Sequence, residues 1–244
     1  MTIGSSLQDY GEPSYWNDRY RQDPRPFEWY QKYNALSPIL NIYFKRFDRL
    51  LVVGCGNSVF GENMVADGYQ DIYNIDISSV VIEAMKKKYS IEPAQKFVQM
   101  DVRDMSSFRD DSFDGVIDKG TLDSIMCGSN AKENAKKMLK EVGRILKDSG
   151  VYILITYGDP TSRFYLLKEQ KSWNINLHVI ERIETQLDKP RWDLIKPVPM
   201  KKDGSFDSLS ILGKNAEVHY IYVCTKGGPD GVDEFGSPTL SISI

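Results

Sequence analysis

The chain has 244 residues, 41% hydrophobic and 27% charged, with 31 basic and 34 acidic side chains and a net charge of −3. That size and composition suit a soluble globular protein with one generous core, alone or with appendages. The slight acidic surplus weighs against nucleic acid as an obligatory partner, since such binding favours a basic excess.

The N-terminus is polar and carries no apolar core of a secretory signal, and no apolar run approaches the ~20 residues that span a bilayer. The expected location is the cytoplasm, with the nucleus open and no membrane contact. Cys55, Cys127 and Cys224 are sparse and unpaired in spacing, which fits a reducing compartment. With only His178 and His219 to join them, no metal site is expected.

In chain order, residues 1–12 read as a loose tail. Tyr15-Trp16-Asn17-Asp18-Arg19-Tyr20 forms a short helix started near Pro13. Asp23-Pro24-Arg25-Pro26 forces an extended turn. Ile39, Leu40, Tyr43, Phe44 and Phe47 recur at helical spacing and predict a helix over 37–47. Strands are predicted at 49–53, 71–75, 96–100, 113–118 and 151–156. Helices between them cover 59–67, 78–88 (capped by Ser78) and 132–147. Beyond Gly158-Asp159-Pro160 the pattern changes to a helical turn or two at 164–169, a strand at 176–183, a mobile loop over Pro190–Asp207 and a strand at 218–225. Residues 227–244 are expected to be disordered or weakly docked. The alternation predicts an α/β fold, Rossmann-like and doubly wound, mostly parallel with an antiparallel C-terminal edge hairpin.

The chemistry gathers at strand ends. Leu51-Val52-Val53-Gly54-Cys55-Gly56-Asn57-Ser58 is a buried-strand run breaking into a glycine turn, where Gly54 and Gly56 allow close backbone approach. Cys55 lies in this turn and belongs with ligand approach, not nucleophilic chemistry. Asp76 follows about 20 residues on, where a nucleotide-binding βαβ unit places its ribose carboxylate. Its alternative role is a helix N-cap. Ile77 would pack on an adenine. Asp101 and Val102 would offer it an acceptor and an apolar wall, unless Asp101 only makes an Asx-turn. A dehydrogenase would carry a third glycine at position 59, where Val59 stands. A diphosphate also wants a tightly held helix N-terminus. The looser turn therefore suits an adenosine cofactor without phosphate, S-adenosylmethionine.

Past the fourth strand, Asp118 and Asp123 are the candidate catalytic carboxylates, placed to favour a cationic neighbour, either a sulfonium or a substrate amine. No general base is assigned, and Asp123 has the alternative of a solvent-exposed helix cap. Lys119 would serve through its backbone or stem, because a free cation would repel a sulfonium. Trp16, Tyr20 and Trp29 either cover a core edge or form a lid with cation–π contact. The division that follows is an aromatic arm and helix over the site (1–47), a main domain (48–226) and a tail (227–244).

Together, Tyr15–Tyr20, Leu51–Ser58, Asp76 with Ser78-Ser79-Val80-Val81, Met100-Asp101-Val102 and Asp118–Asp123 resemble a seven-strand (class I) methyltransferase. More narrowly, they resemble the elongation factor 1-alpha lysine methyltransferases and the methyltransferase-like protein 13 group. The resemblance covers about residues 10–170. It implies S-adenosylmethionine contacts at Trp16, Tyr20, Trp29, Gly54, Asp76, Ile77, Asp101, Val102 and Lys119, with Cys55 and Gly56 in the same turn. Ile77 stands where that family can carry an aromatic, and the region after Gly158 departs from it. The implied substrate is a protein lysine, on elongation factor 1-alpha first, and a monomer suffices. A small-molecule methyltransferase, a nicotinamide-dependent oxidoreductase and a silent binding module are the alternatives.

Overall fold

A computed structural model describes residues 7–182, 192–200, 211–212 and 217–227. Seven strands form one sheet: β1 (Arg49–Val53), β2 (Asp71–Asp76), β3 (Gln95–Gln99), β4 (Phe113–Lys119), β5 (Leu146–Thr156), β6 (Trp173–Glu181) and β7 (Val218–Lys226), ordered β3-β2-β1-β4-β5-β7-β6. The first five run parallel, whereas β7 lies antiparallel to both β5 and β6.

Strand residues alternate between two cores, as a pleat with both faces covered requires. Leu51, Val53, Val116, Tyr152 and Leu154 meet α6 (Ala131–Ile145) through Ala135, Met138, Leu139, Val142 and Ile145. Leu50, Val52, Ile117, Ile153 and Ile155 face α2 (Tyr33–Tyr43), α3 (Phe60–Ala66) and α4 (Ser79–Lys88). The central strands are therefore apolar runs, and only their ends are polar.

Several boundaries differ from expectation. A 3-10 turn at Leu7–Gly11 precedes α1 (Pro13–Gln22) inside the supposed loose tail, where Trp16 Nε1 donates to the Tyr10 carbonyl at 2.9 Å. Helix α2 begins at Tyr33, tolerates Pro38 and stops at Tyr43; Phe44 is buried but Phe47 is 77% exposed. Periodicity placed Phe47 on the buried face, but the chain is already extended at Phe44. A short helix that the sequence reading did not place, α5 (Thr121–Cys127), starts at Gly120 with φ +93°. Helix α7 (Pro160–Lys168) is capped by the Asp159 side chain.

Of the expected mobile loop over 190–207, residues 192–200 lie against β6. Val198 N–H donates to the Leu177 carbonyl at 2.7 Å, and Trp192, Val198 and Met200 pack on the core. The remainder of that loop, the first six residues and 228–244 lie outside the described residues. Among the described residues no helix is long and apolar enough to cross a membrane.

Candidate active site

In this strand order the chain reverses direction of growth between β1 and β4, the place where open α/β sheets bind ligands beyond their carboxyl ends. A cavity of about 1150 Å³, counted out to open solvent, lies there. All eleven candidate cofactor residues line it: Trp16, Tyr20 and Trp29 from the arm, Gly54, Cys55 and Gly56 from the turn, and Asp76, Ile77, Asp101, Val102 and Lys119 from strand ends.

The turn requires its glycines twice over. Gly54 and Gly56 adopt φ of +59° and +53°, which side chains disfavour. A Cβ on Gly54 would strike Thr121, whose hydroxyl donates to the Val53 carbonyl at 2.9 Å. A Cβ on Gly56 would lie 2.7 Å from the Tyr20 hydroxyl. The backbone here is pressed between α5 and the arm, leaving its other side to the cavity.

Asp76 is buried. Its Oδ2 accepts from Gly56 N–H and its Oδ1 from Ser78 N–H, both at 2.9 Å. Burial pushes this carboxyl up to about 6, with the backbone donors opposing. Capping of α4 falls to the Ser78 hydroxyl, so Asp76 is not the N-cap. Each carboxylate oxygen has accepting capacity left toward the cavity. Asp101, in contrast, already binds Arg103 in bidentate fashion, with 2.6 Å from Nη2 to Oδ2 and 2.9 Å from Nε to Oδ1, which holds its carboxyl below the usual range despite partial burial. Burial also raises the Cys55 thiol well above its ordinary value, which leaves it inert.

The two candidate catalytic carboxylates do not line the cavity. Asp118 is fully buried beneath α5 and accepts from Thr121 N–H at 2.8 Å, Leu122 N–H at 3.2 Å and the Tyr152 hydroxyl at 2.9 Å. It caps a helix whose own N-cap is glycine, and burial pushes it up to about 7. Asp123 forms a buried ion pair with Arg163, Nη2 to Oδ1 at 2.7 Å, with both side chains under 5% exposed. It also accepts from the Tyr30 hydroxyl at 2.7 Å and the Thr156 hydroxyl at 2.5 Å. Neither carboxylate is free to face a ligand cation, and Asp123 is no exposed cap. Position in the sequence beyond a strand does not tell which way an acid points.

Lys119 does line the cavity. Its Nζ donates to Glu28 Oε2 and to the Trp29 carbonyl, each at 2.9 Å. Glu28 is the residue of this arrangement that sequence reasoning missed. Its other oxygen, Oε1, accepts from the Ser58 hydroxyl at 2.6 Å and Val59 N–H at 2.8 Å, at the start of α3. A carboxylate at a helix start is favoured by the orphan amides there. The available signal was Val59 itself, which cannot cap α3 and so leaves a donor to be satisfied from elsewhere.

The arm is fastened by further bonds. Trp29 packs on Trp16 at 6.5 Å between ring centroids and on Tyr10 at 6.4 Å. The Tyr30 ring packs at a tilt against His219, 4.8 Å between centroids. Gln31 Nε2 bonds the Glu181 carbonyl at 2.6 Å and His219 Nδ1 at 3.1 Å. Burial and the Arg182 charge push His219 down to about 4, keeping it neutral.

A family model described as a methyltransferase domain matches residues 51–154. The fold aligns with a SAM-dependent methyltransferase from Methanosarcina mazei at a TM-score of 0.56 and 18% identity, covering 78% of this chain and 97% of that one. The molecule is thus a class I methyltransferase in fold, with the antiparallel β5-β7-β6 edge of that class. By sequence it is 37% identical to the eEF1A lysine and N-terminal methyltransferase of Bos taurus over 79% of this chain, and it spans 28% of that relative's length. It is 31% identical to EEF1A lysine methyltransferase 4 of Mus musculus, covering 68% of this chain and 69% of the relative. The chain belongs to the eEF1A lysine methyltransferase family.

The residues present fit S-adenosylmethionine. A cradle that any Cβ would fill, a buried carboxylate with spare acceptors and a lysine already neutralised by Glu28 suit a nucleoside bearing a positive charge and no phosphate.

Proposed function

We propose that this protein transfers methyl groups from S-adenosylmethionine to a lysine of a protein, with elongation factor 1-alpha as the leading acceptor, and that it does so in the cytoplasm as a monomer. The observation that carries the reading is the cavity itself. Its floor is two glycines of positive φ beside the buried Asp76, and its cover is an arm of aromatic rings. Family membership supports the choice of a protein lysine as acceptor.

The bound cofactor would supply an activated methyl group on a sulfonium. Asp76 would hold the ribose hydroxyls by charge-assisted bonds. Ile77 and Val102 would wall the adenine while Asp101, steadied by Arg103, accepts from its amine. Trp16, Tyr20 and Trp29 would exclude water. A lysine amine attacks only when neutral, and a dry site lowers its pKa. Positioning then supplies most of the rate. Asp123 acts through Tyr30, which it holds beside Trp29 of the arm, and is a positioning residue in this scheme.

The test is transfer of labelled methyl to the proteins of a cytosolic extract, with Asp76→Ala as control. A labelled band identified as elongation factor 1-alpha and absent with the variant supports the reading. Label appearing only in small molecules would move the acceptor class, and no binding of the cofactor by calorimetry would end the proposal.

A further inference from the structure

Among the described residues, the cavity lining carries three cationic side chains, Arg19, Arg103 and Lys119, and two anionic ones, Asp76 and Asp101. Arg103 is matched by Asp101 on the spot. Arg19 is only partly buried and lies over the Phe27 ring at 5.2 Å. Lys119 is different: its side chain is 9% exposed, so water screens its charge poorly. Its counter-charge comes from outside the lining, from Glu28, 91 residues earlier in the chain and 18% exposed.

A methyl donor of the class proposed above differs from its demethylated product by one methyl group and one positive charge. Shape and hydrogen bonding are otherwise shared. The cavity's preference between them is therefore set mainly by its electrostatic potential, and a buried uncompensated ammonium in the wall would disfavour the charged partner. We infer that Glu28 is a specificity-determining residue: by neutralising Lys119 it lets the site hold cationic S-adenosylmethionine against neutral S-adenosylhomocysteine. This rests on the cofactor reading given above.

The arrangement explains why a lysine is tolerated at all. Lys119 ties the end of β4 to the arm by bonding both Glu28 and the Trp29 carbonyl. Glu28 fixes the β1–α3 turn through Ser58 and Val59. The pair staples lid, turn and strand together at no net charge. A neutral pair could staple as well, but a lysine without its glutamate could not do so without repelling a sulfonium. Asp76, bonded among the described residues only to uncharged backbone donors, then leaves the innermost part of the site net negative, the sign a cationic ligand favours.

The experiment is isothermal titration calorimetry of the full chain with S-adenosylmethionine and with S-adenosylhomocysteine, at pH 7, for the wild type, Glu28→Gln, Lys119→Met and the double variant. Gln keeps an oxygen that accepts from Ser58 and Val59, so the link to the β1–α3 turn is retained. In Glu28→Gln the ratio of the two dissociation constants should move against S-adenosylmethionine by about tenfold or more. The double variant should return it to near the wild-type value, because both charges are gone. Equal weakening of both ligands in Glu28→Gln, or an unchanged ratio, would overturn the inference and leave Glu28 a structural staple. Failure of the wild type to bind either ligand would instead sink the cofactor reading itself.

Discussion

Replacing Arg163 with Met removes the charged partner of Asp123 while keeping an unbranched apolar side chain. Both members of the pair are almost wholly buried, 4% and 3% exposed, so the stranded carboxylate gains no solvent. Breaking a buried pair from one side costs about 3–5 kcal/mol. The lower end applies here, because Asp123 retains bonds from Tyr30 at 2.7 Å and Thr156 at 2.5 Å, which continue to solvate its charge. A loss of about 3 kcal/mol corresponds to a Tm lower by roughly 6–12 °C for a domain of this size. Urea denaturation followed by far-ultraviolet circular dichroism measures it. The companion variant, Asp123→Asn with Arg163→Met, should recover at least about 1 kcal/mol, since no charge is then left buried. An Arg163→Met protein within about 1 kcal/mol of wild type, or a double variant no better than the single, would refute the view that this pair is held together by the cost of separating it.

Other expectations are more direct. Asp76→Ala should abolish calorimetric binding of S-adenosylmethionine while leaving the circular dichroism spectrum unchanged. Ribose donors favour the ionised carboxylate, so binding draws the Asp76 pKa below its free value of about 6; affinity should be level above that pH and fall up to about tenfold per unit as the solution is acidified through it. Asp118 titrates near 7 in the folded protein against an ordinary 3.8, so the folded form holds an extra proton across that window and stability falls as pH rises through it. Asp118→Asn should lessen this decline between pH 5 and pH 8, read by guanidinium denaturation; an undiminished slope would count against it. Gly54→Ala combines an unfavourable φ with a clash against Thr121 and should cost stability by at least about 1 kcal/mol together with cofactor binding; wild-type binding and melting would contradict the geometry.

The sheet was legible because its interior strands are near-continuous apolar runs ended by glycine or acid, and because parallel strands must alternate with helices. The Gly54–Gly56 turn and Asp76 were legible for the same local reason, a fixed spacing within one βαβ unit. Side-chain direction at strand ends was not. Asp118 and Asp123 sit in a polar string that reads as functional, yet one is spent on the α5 amides and the other on Arg163, 40 residues onward. Glu28 was missed because its partners lie 30 to 91 residues away: Val59 signals that a donor needs an outside acceptor but not which residue supplies it. The end of α2 was misjudged because Phe47 fits the helical period although the backbone has already left the helix at Phe44.

The bond between Gln31 and His219 joins residues 188 positions apart. During synthesis at about 5–20 residues per second, the arm waits roughly 10–40 s for the strand that secures it. The parallel strands and their helices can assemble during that interval, but Gln31 and Tyr30 have no β7 to hold until the ribosome has made it. On this timetable the arm is fastened in two stages, first to β4 through Glu28 and Lys119 and later to β7 through Gln31, so a nascent chain carries a formed cradle under a cover held on one side.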